Sequence, residues 1–318
     1  MSERLKAEYL KPRYLSTWLL IGVIGLTALM PRRMALDFGA AMGRLFYRRN
    51  AKRREIVRIN IEMCFVDLNE TQREEMVRQH FEFYGRNVVD FGLAWWGSPR
   101  TIRKWVQFRG VDRLDQAHKD KRRVILITPH AVGMDLGGIL LSERYPSVSM
   151  MKRAPDDLLN WMLIRGRERM GGVMMMRDNG LRPLLRAIRN GRQCYFIPDE
   201  DFGAELSVFA PFFGVPTATL TVVGRLARLT DAVVLPMITW LDVDSGRYTV
   251  DIGAPLEDFP SGDDTADAIH VNAALEERVR LAPAQYMWTL RWFKTRPDGG
   301  PSPYDQVPDR IAQQSGHK

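Results

Sequence analysis

The sequence predicts an α/β fold: a mainly parallel central sheet flanked by helices, behind a helical N-terminal region that carries a membrane-anchoring helix. Three observations carry this expectation. Beyond residue 123, short apolar runs alternate with helical stretches, as in parallel sheets whose strands are joined by crossover helices. Residues 34–60 and 68–98 read as helices, not strands. An uncharged, mostly apolar run, Tyr14–Met30, precedes both.

That run is 17 residues long. As a helix it covers roughly 25 Å at ~1.5 Å per residue, slightly short of a ~30 Å hydrocarbon core. It fits a thin spanning helix, an interfacial helix or a buried core helix. No small-x-small cleavage site follows it, which disfavours a cleaved signal peptide. Arg4, Lys6, Lys11 and Arg13 precede the run. Arg32, Arg33, Arg44, Arg48, Arg49, Lys52, Arg53 and Arg54 follow it. The heavier C-terminal charge places that side in the cytoplasm.

Segment 34–60 mixes apolar and basic residues and reads as one or two amphipathic helices. Such helices lie on anionic membranes, each nearby basic residue adding about 1 kcal/mol, or they present an ordinary solvated face. Segment 68–98 reads as two further helices, with Asn69, Gln72 and Glu74 resembling a helix start.

Strand-like runs follow at 123–128, 148–152, 173–176, 194–198, 233–240 and 247–252. The helical stretches between them are 135–143, 156–170, 180–190, 219–230 and 264–281. The organisation is therefore an anchor over 1–33, a helical region over 34–110, an α/β domain over 111–297 and a tail over 298–318. That tail is rich in Pro, Gly and polar residues and reads as loosely held.

With 318 residues, 45% of them hydrophobic, the chain has the material for a large core, and full-length disorder is excluded. A net charge of +8 points to an anionic partner: nucleic acid, an acidic protein or anionic lipid. Cys64 and Cys194 are distant and form no Cys-x-x-Cys pair, so neither a disulfide framework nor a cysteine zinc site is expected. The signatures of P-loops, dinucleotide folds, zinc proteases and serine hydrolases are all missing from the sequence.

His130 ends the strongest predicted strand, and Asp135 lies five residues on. The end of a buried strand leading into a helix is where open α/β sheets place their clefts. A histidine there serves as general base, with a carboxylate holding its tautomer. The competing account is a core histidine bonded to a turn, with Asp135 capping the next helix.

Asp199, Glu200 and Asp201 form an acidic cluster directly after a strand. They suit a metal, an arginine partner, substrate hydroxyls or a solvated turn. Pro211–Pro216 is turn-rich and apolar, suited to a greasy groove or to the core. Arg153, Arg165, Arg167, Arg169 and Arg177 fall near strand ends, and their planar forks suit phosphate or carboxylate. Methionines at 150–151 and 174–176 suit the core or acyl chains.

Taken in order, these motifs resemble a known family. Pro129-His130-x4-Asp135, Pro198-Asp199-Glu200-Asp201-x-Gly203, Phe212-Phe213-Gly214-Val215, Gln285-Tyr286-Met287-Trp288 and Phe293-Lys294-Thr295-Arg296-Pro297 recur in the late acyltransferases of lipid A biosynthesis. The likeness runs from about residue 12 to 297. It implies an enzyme at the cytoplasmic face of the inner membrane with a single N-terminal membrane helix. Such enzymes take an acyl chain from acyl carrier protein and place it on a hydroxyl of the Kdo-bearing lipid A precursor, and this chemistry needs no cofactor or metal.

The resemblance implies His130 as base and Asp135 as its orienter. It implies Arg167 as a substrate contact and matches Arg177 to a recurrent arginine; Arg177 and, from its place near a strand end, Arg153 are further substrate-binding candidates. Asp199 would hold Arg167 or accept a bond from a substrate hydroxyl. The Met170-Gly171-Gly172 and Asp178-Asn179-Gly180 runs favour myristoyl over lauroyl transfer. The alternatives are an acyltransferase for another glycolipid, such as a phosphatidylinositol mannoside with an acyl-CoA donor, or a tethered scaffold with an inert His-Asp pair. A nucleic-acid-binding protein explains the charge but not the apolar N-terminal run, and no recognised motif supports it.

Overall fold

In the computed structural model, which describes residues 5–315, the chain builds a helical block before it reaches the sheet. Helices α1 (Leu15–Thr27) and α2 (Arg32–Arg49) lead to α3 (Ala51–Cys64) and the long α4 (Glu70–Trp96). Asn50 caps α3 through its side-chain oxygen. Asn69 and Gln72 cap α4 reciprocally. The expected break in 68–98 is missing because no proline interrupts the segment, and α4 buries one face from Val77 to Trp95. α2 crosses α4 at Gly39, Gly43 and Gly85. A Cβ on Gly43 or Gly85 would overlap the partner helix backbone, so only glycine allows the approach.

The expected spanning helix is not formed. α1 has 13 residues, about 20 Å of axis at ~1.5 Å per residue. No helix among the described residues is long and apolar enough to cross a membrane. The apolar run is divided instead. Tyr14 lies in a preceding 3-10 turn, Thr27 ends the helix, and Pro31 opens the next one. Ile21, Ile24 and Thr27 are buried, and the Thr27 hydroxyl bonds Val89 O of α4 at 2.9 Å. The other face is bare, with Leu15, Leu19 and Leu26 more than 60% exposed.

Several of the flanking charges are also structural. Arg32 is buried against Asp90, Arg53 bonds Thr289 O, and Arg54 bonds Tyr47 O. α3 buries Ile56, Val57, Ile59 and Ile61, so it is a core helix rather than a surface one. Arg4 lies outside the described residues.

Helix α5 (Pro99–Trp105) feeds β1 (Val106–Arg109), and α6 (Val111–Lys119) feeds β2 (Arg123–Ile127). Next come α7 (Met134–Arg144), β3 (Ser147–Met151), α8 (Asp157–Glu168), β4 (Val173–Met176), α9 (Arg182–Arg189) and β5 (Gln193–Phe196). A hairpin, β6 (Ser207–Phe212) and β7 (Val215–Leu220), precedes α10 (Val222–Thr230), β8 (Ala232–Asp242), β9 (Arg247–Ile252) and α11 (Asp264–Arg280).

The main sheet runs β1-β9-β8-β2-β5-β3-β4, and every neighbouring pair is parallel except β8–β9. The middle strand β2 is buried from Val124 to Ile127, as a sheet covered on both faces requires. β1 was not expected: Val106-Gln107-Phe108-Arg109 mixes apolar and polar residues, whereas the equally short edge strand β4 is an unbroken apolar run. The apolar piece 211–216 is the turn of the β6–β7 hairpin, and Val215, Thr217 and Thr219 put strand where helix was expected from 219.

Part of the expected loose tail is ordered. Helix α12 (Val307–Ser315) follows Tyr304, and Tyr304 and Val307 are buried against Ile56 and Ile59 of α3. Val307 and Ile311 share one face of the helix, and Arg310 pairs with Glu62. Residues 316–318 of that tail lie outside the described residues.

Candidate active site

The C-terminal ends of β2, β3 and β5 open on a cleft of about 590 Å³. His130 lies just past β2 in a loop held by backbone bonds to the C-terminal segment: Val132 N to Gln285 O and Met287 N to His130 O, both 2.9 Å. Gly133 ends the loop at φ +83°. A Cβ there would overlap the Tyr248 ring, so glycine is required. Asn87 of α4 accepts the Gly133 N–H at 3.3 Å.

The carboxylate on His130 is Asp199. Its Oδ1 lies 2.6 Å from Nδ1, and its Oδ2 accepts the His130 backbone N–H at 2.8 Å and the Tyr286 hydroxyl at 2.9 Å. With Asp199 on Nδ1, Nε2 is left toward the cleft. The Trp292 ring stacks on Tyr286 and sits 5.7 Å from the imidazole. Glu200 is 3.7 Å from Nε2 and accepts a 2.6 Å bond from Arg177, whose guanidinium covers Phe202. Asp201 accepts from Thr295 N and Oγ1, both at 2.8 Å, and so ties the Phe293–Pro297 segment to the site. The three acids thus have three separate tasks.

Asp135 does not reach His130 in this arrangement. It sits in the first turn of α7, where both its oxygens bond Arg167 from the last turn of α8; Nη2 to Oδ2 is 3.3 Å. Arg167 also lines the cleft and meets Met151 Sδ at 3.8 Å. The two carboxylates have exchanged the partners expected of them, because Asp135 faces α8 while Asp199 follows β5, the strand beside β2. Arg177 lines the cleft. Arg153 turns outward onto Asp157 at 3.1 Å and is well exposed, and Lys152 lines the cleft instead.

Electrostatics separate the two pairs. Burial works against a charged His130, but Asp199 and Glu200 outweigh it and raise its pKa above the ordinary 6.5 despite opposition from Arg177. Burial likewise opposes charge on Arg167, and Asp135 again outweighs it, so the guanidinium keeps its charge. Chemically, the first pair holds a proton that an imidazole can give up, and the second offers a fixed cation.

Tyr286, Trp292, Lys152 and Asn87 had no role assigned from sequence, while Glu200 takes the arginine partner that the acidic cluster suited. Only the Gln285–Trp288 motif hinted at the first of them. Their partners are up to 87 residues away along the chain, as for Tyr286 and Asp199, beyond the reach of any local spacing rule.

Comparison with known proteins gives the family. The profile of the family described as bacterial lipid A biosynthesis acyltransferase matches residues 3–295. A lipid A biosynthesis acyltransferase of Haemophilus influenzae is 34% identical over 92% of this chain and 92% of its own. The lipid A biosynthesis lauroyltransferase of Escherichia coli is 32% identical over 95% and 98%, and the myristoyltransferase of the same organism 29% over 92% and 91%. The chain belongs to the bacterial lipid A biosynthesis acyltransferase family.

Proposed function

We propose that the protein moves a medium-length acyl chain, myristoyl first and lauroyl next, from acyl carrier protein to a hydroxyl of an acyl group on the Kdo-bearing lipid A precursor. The observation that carries this reading is His130, held at Nδ1 by buried Asp199 with Nε2 left to a mostly apolar cleft. Nε2 takes the proton of the acceptor hydroxyl as its oxygen attacks the thioester carbonyl. The carbon–sulfur bond then breaks, and the thiolate leaves with the proton from the imidazolium. Asp199 orients the ring and stabilises the imidazolium. Arg167, fixed by Asp135, supplies positive charge to a phosphate, a sugar-acid carboxylate or the developing oxyanion.

Lys152, Arg177 and Arg225 add further cations to the cleft, in keeping with a strongly anionic acceptor. The net charge of +8 favours encounter with an acidic carrier protein. The bare apolar face of α1 lies in the cytoplasmic surface of the inner membrane, in the plane of the bilayer. Thr17 bonds Asp156, the cap of α8, at 2.6 Å, and α8 lends Leu163 and Arg167 to the cleft, so a bilayer under α1 runs near the cleft mouth.

The test offers purified protein the precursor lipid with acyl carrier protein or coenzyme A thioesters and weighs the lipid. One added acyl mass, lost in His130→Ala, is expected. No product from either donor sinks the reading, and product from coenzyme A alone sinks the donor assignment.

A further inference from the structure

Beside the main cleft lies a narrower cavity of about 50 Å³. Helix α7 bounds it on one side and strands β3, β4 and β5 on the other. It shares Met134, Met150, Arg167 and Ile197 with the cleft in front of His130. Protein interiors normally fill a helix-to-sheet contact with large side chains. Here the facing residues are small: Gly138 and Ser142 on α7, Ser147 and Ser149 on β3. In the sheet register Ser149 lies between Tyr195 and Met174, so a trench runs between those two larger side chains.

Three polar side chains of this trench turn their oxygens into the protein. Ser142 Oγ donates to Gly138 O at 2.7 Å, Ser147 Oγ to Tyr145 O at 2.9 Å and the Tyr195 hydroxyl to Met134 O at 2.9 Å. The rest of the lining is mostly hydrocarbon and sulfur, with the Asp135–Arg167 ion pair on the side toward the cleft. A lining that is apolar over most of its area takes an alkyl chain in preference to water.

We propose that this slot takes the methyl end of the saturated acyl chain carried by the donor and so sets the longest chain transferred. The proposal rests on the acyl-transfer reading above. A chain whose thioester carbonyl lies at His130 Nε2 reaches the slot along Met134 and Ile197. The slot admits one chain between protein walls, which suits a single-chain donor; a multi-chain glycolipid keeps its other chains in the bilayer. A cavity of roughly 150 Å³ accommodates a benzene ring. By that measure 50 Å³ ends the path after two or three carbons.

The experiment gives the full chain and its Gly138→Ala, Ser149→Val and Met174→Ala variants the lipid acceptor with an equimolar mixture of capryl, lauroyl, myristoyl and palmitoyl carrier thioesters. Product lipids are weighed. Filling the slot at 138 or 149 should shift the product toward shorter chains, with the longest wild-type chain falling about tenfold or more against the next shorter, as methylene discrimination in a pocket allows. Emptying it at 174 should shift the product toward longer chains.

Unchanged product distributions in variants with wild-type melting temperatures overturn the proposal. Gly138→Ala guards against misfolding, since its Cβ would clear Tyr195 at 3.4 Å. If the wild type transfers nothing, the acyl-transfer reading has failed separately. A saturated fatty acid with a terminal photoactivatable diazirine then tests the slot alone. Label on the peptides of Ser142 and Met174 supports it, and label confined elsewhere overturns it.

Discussion

Two carboxylates stand behind the same cleft, each holding a cation that lines it, and do different things. Asp199 holds an imidazole, and Asp135 holds a guanidinium. Geometrically the pairs are alike: each carboxylate is nearly closed to solvent and uses both oxygens. The difference lies in the cation. An imidazole beside a carboxylate still releases its proton within reach of neutral pH, whereas a guanidinium does not. The same anion therefore makes a proton carrier in one place and a fixed positive wall in the other. Division of labour in this cleft is set by the partner of each acid and not by the acid.

The largest effect should come from removing the proton carrier. His130→Ala should lower kcat by about 10²–10⁴-fold with the melting temperature kept, measured by mass spectrometry of the lipid product. Activity above a tenth of wild type would mean that His130 is not the base.

The sharpest contrast between the acids is in pH dependence. Wild-type kcat/KM should rise with pH through an inflection above 6.5, because Asp199 and Glu200 outweigh burial and hold the proton on His130. Asp199→Asn should move that inflection toward acid and lower the plateau. Asp135→Asn should lower activity without moving it. An unmoved inflection in Asp199→Asn, or a moved one in Asp135→Asn, reverses the assignment. The sign for stability follows the same shift. The His130–Asp199 pair stabilises the fold fully below about pH 6.5 and loses that contribution as pH rises through the raised folded value. Asp199→Asn should therefore cost more melting temperature at pH 6 than at pH 9.

Smaller effects should separate charge from shape. Arg167→Lys keeps the cation but loses the fork on Asp135, so it should recover only part of what Arg167→Ala loses. A rise in KM for the lipid with kcat kept means ground-state binding; equal losses in kcat and kcat/KM mean contact with the oxyanion. The smallest change should come from Tyr286→Phe. It removes one of the bonds on Asp199, typically about 0.5–1.5 kcal/mol, and should slow transfer a few-fold. A hundredfold loss there would give Tyr286 a direct part in the reaction.

Much of this molecule was legible in one dimension. Runs such as Val124–Ile127 and Ala232–Leu241 bury nearly every residue, so they read as strands without tertiary help. Asn69 and Gln72 announced α4 because capping is local chemistry. His130 was legible too, since a histidine at the end of a buried strand falls at the rim of the sheet wherever the rest of the chain goes. The Tyr14–Met30 run misled because its hydropathy describes composition alone. Only the packing of Ile21 and Ile24 under α4 divides it into a buried half and a bare half.

The sequence by itself determined most strands of the sheet, the position of the catalytic histidine candidate and the acidic segment after β5, all written in spans of a few residues. Tertiary structure alone decided which acid meets which cation. Asp135 is five residues from His130 but turns with α7 toward Arg167, while Asp199, 69 residues away, arrives on the neighbouring parallel strand. Proximity in the chain sets which helix a side chain rides on. Strand order and helix rotation set what that side chain touches.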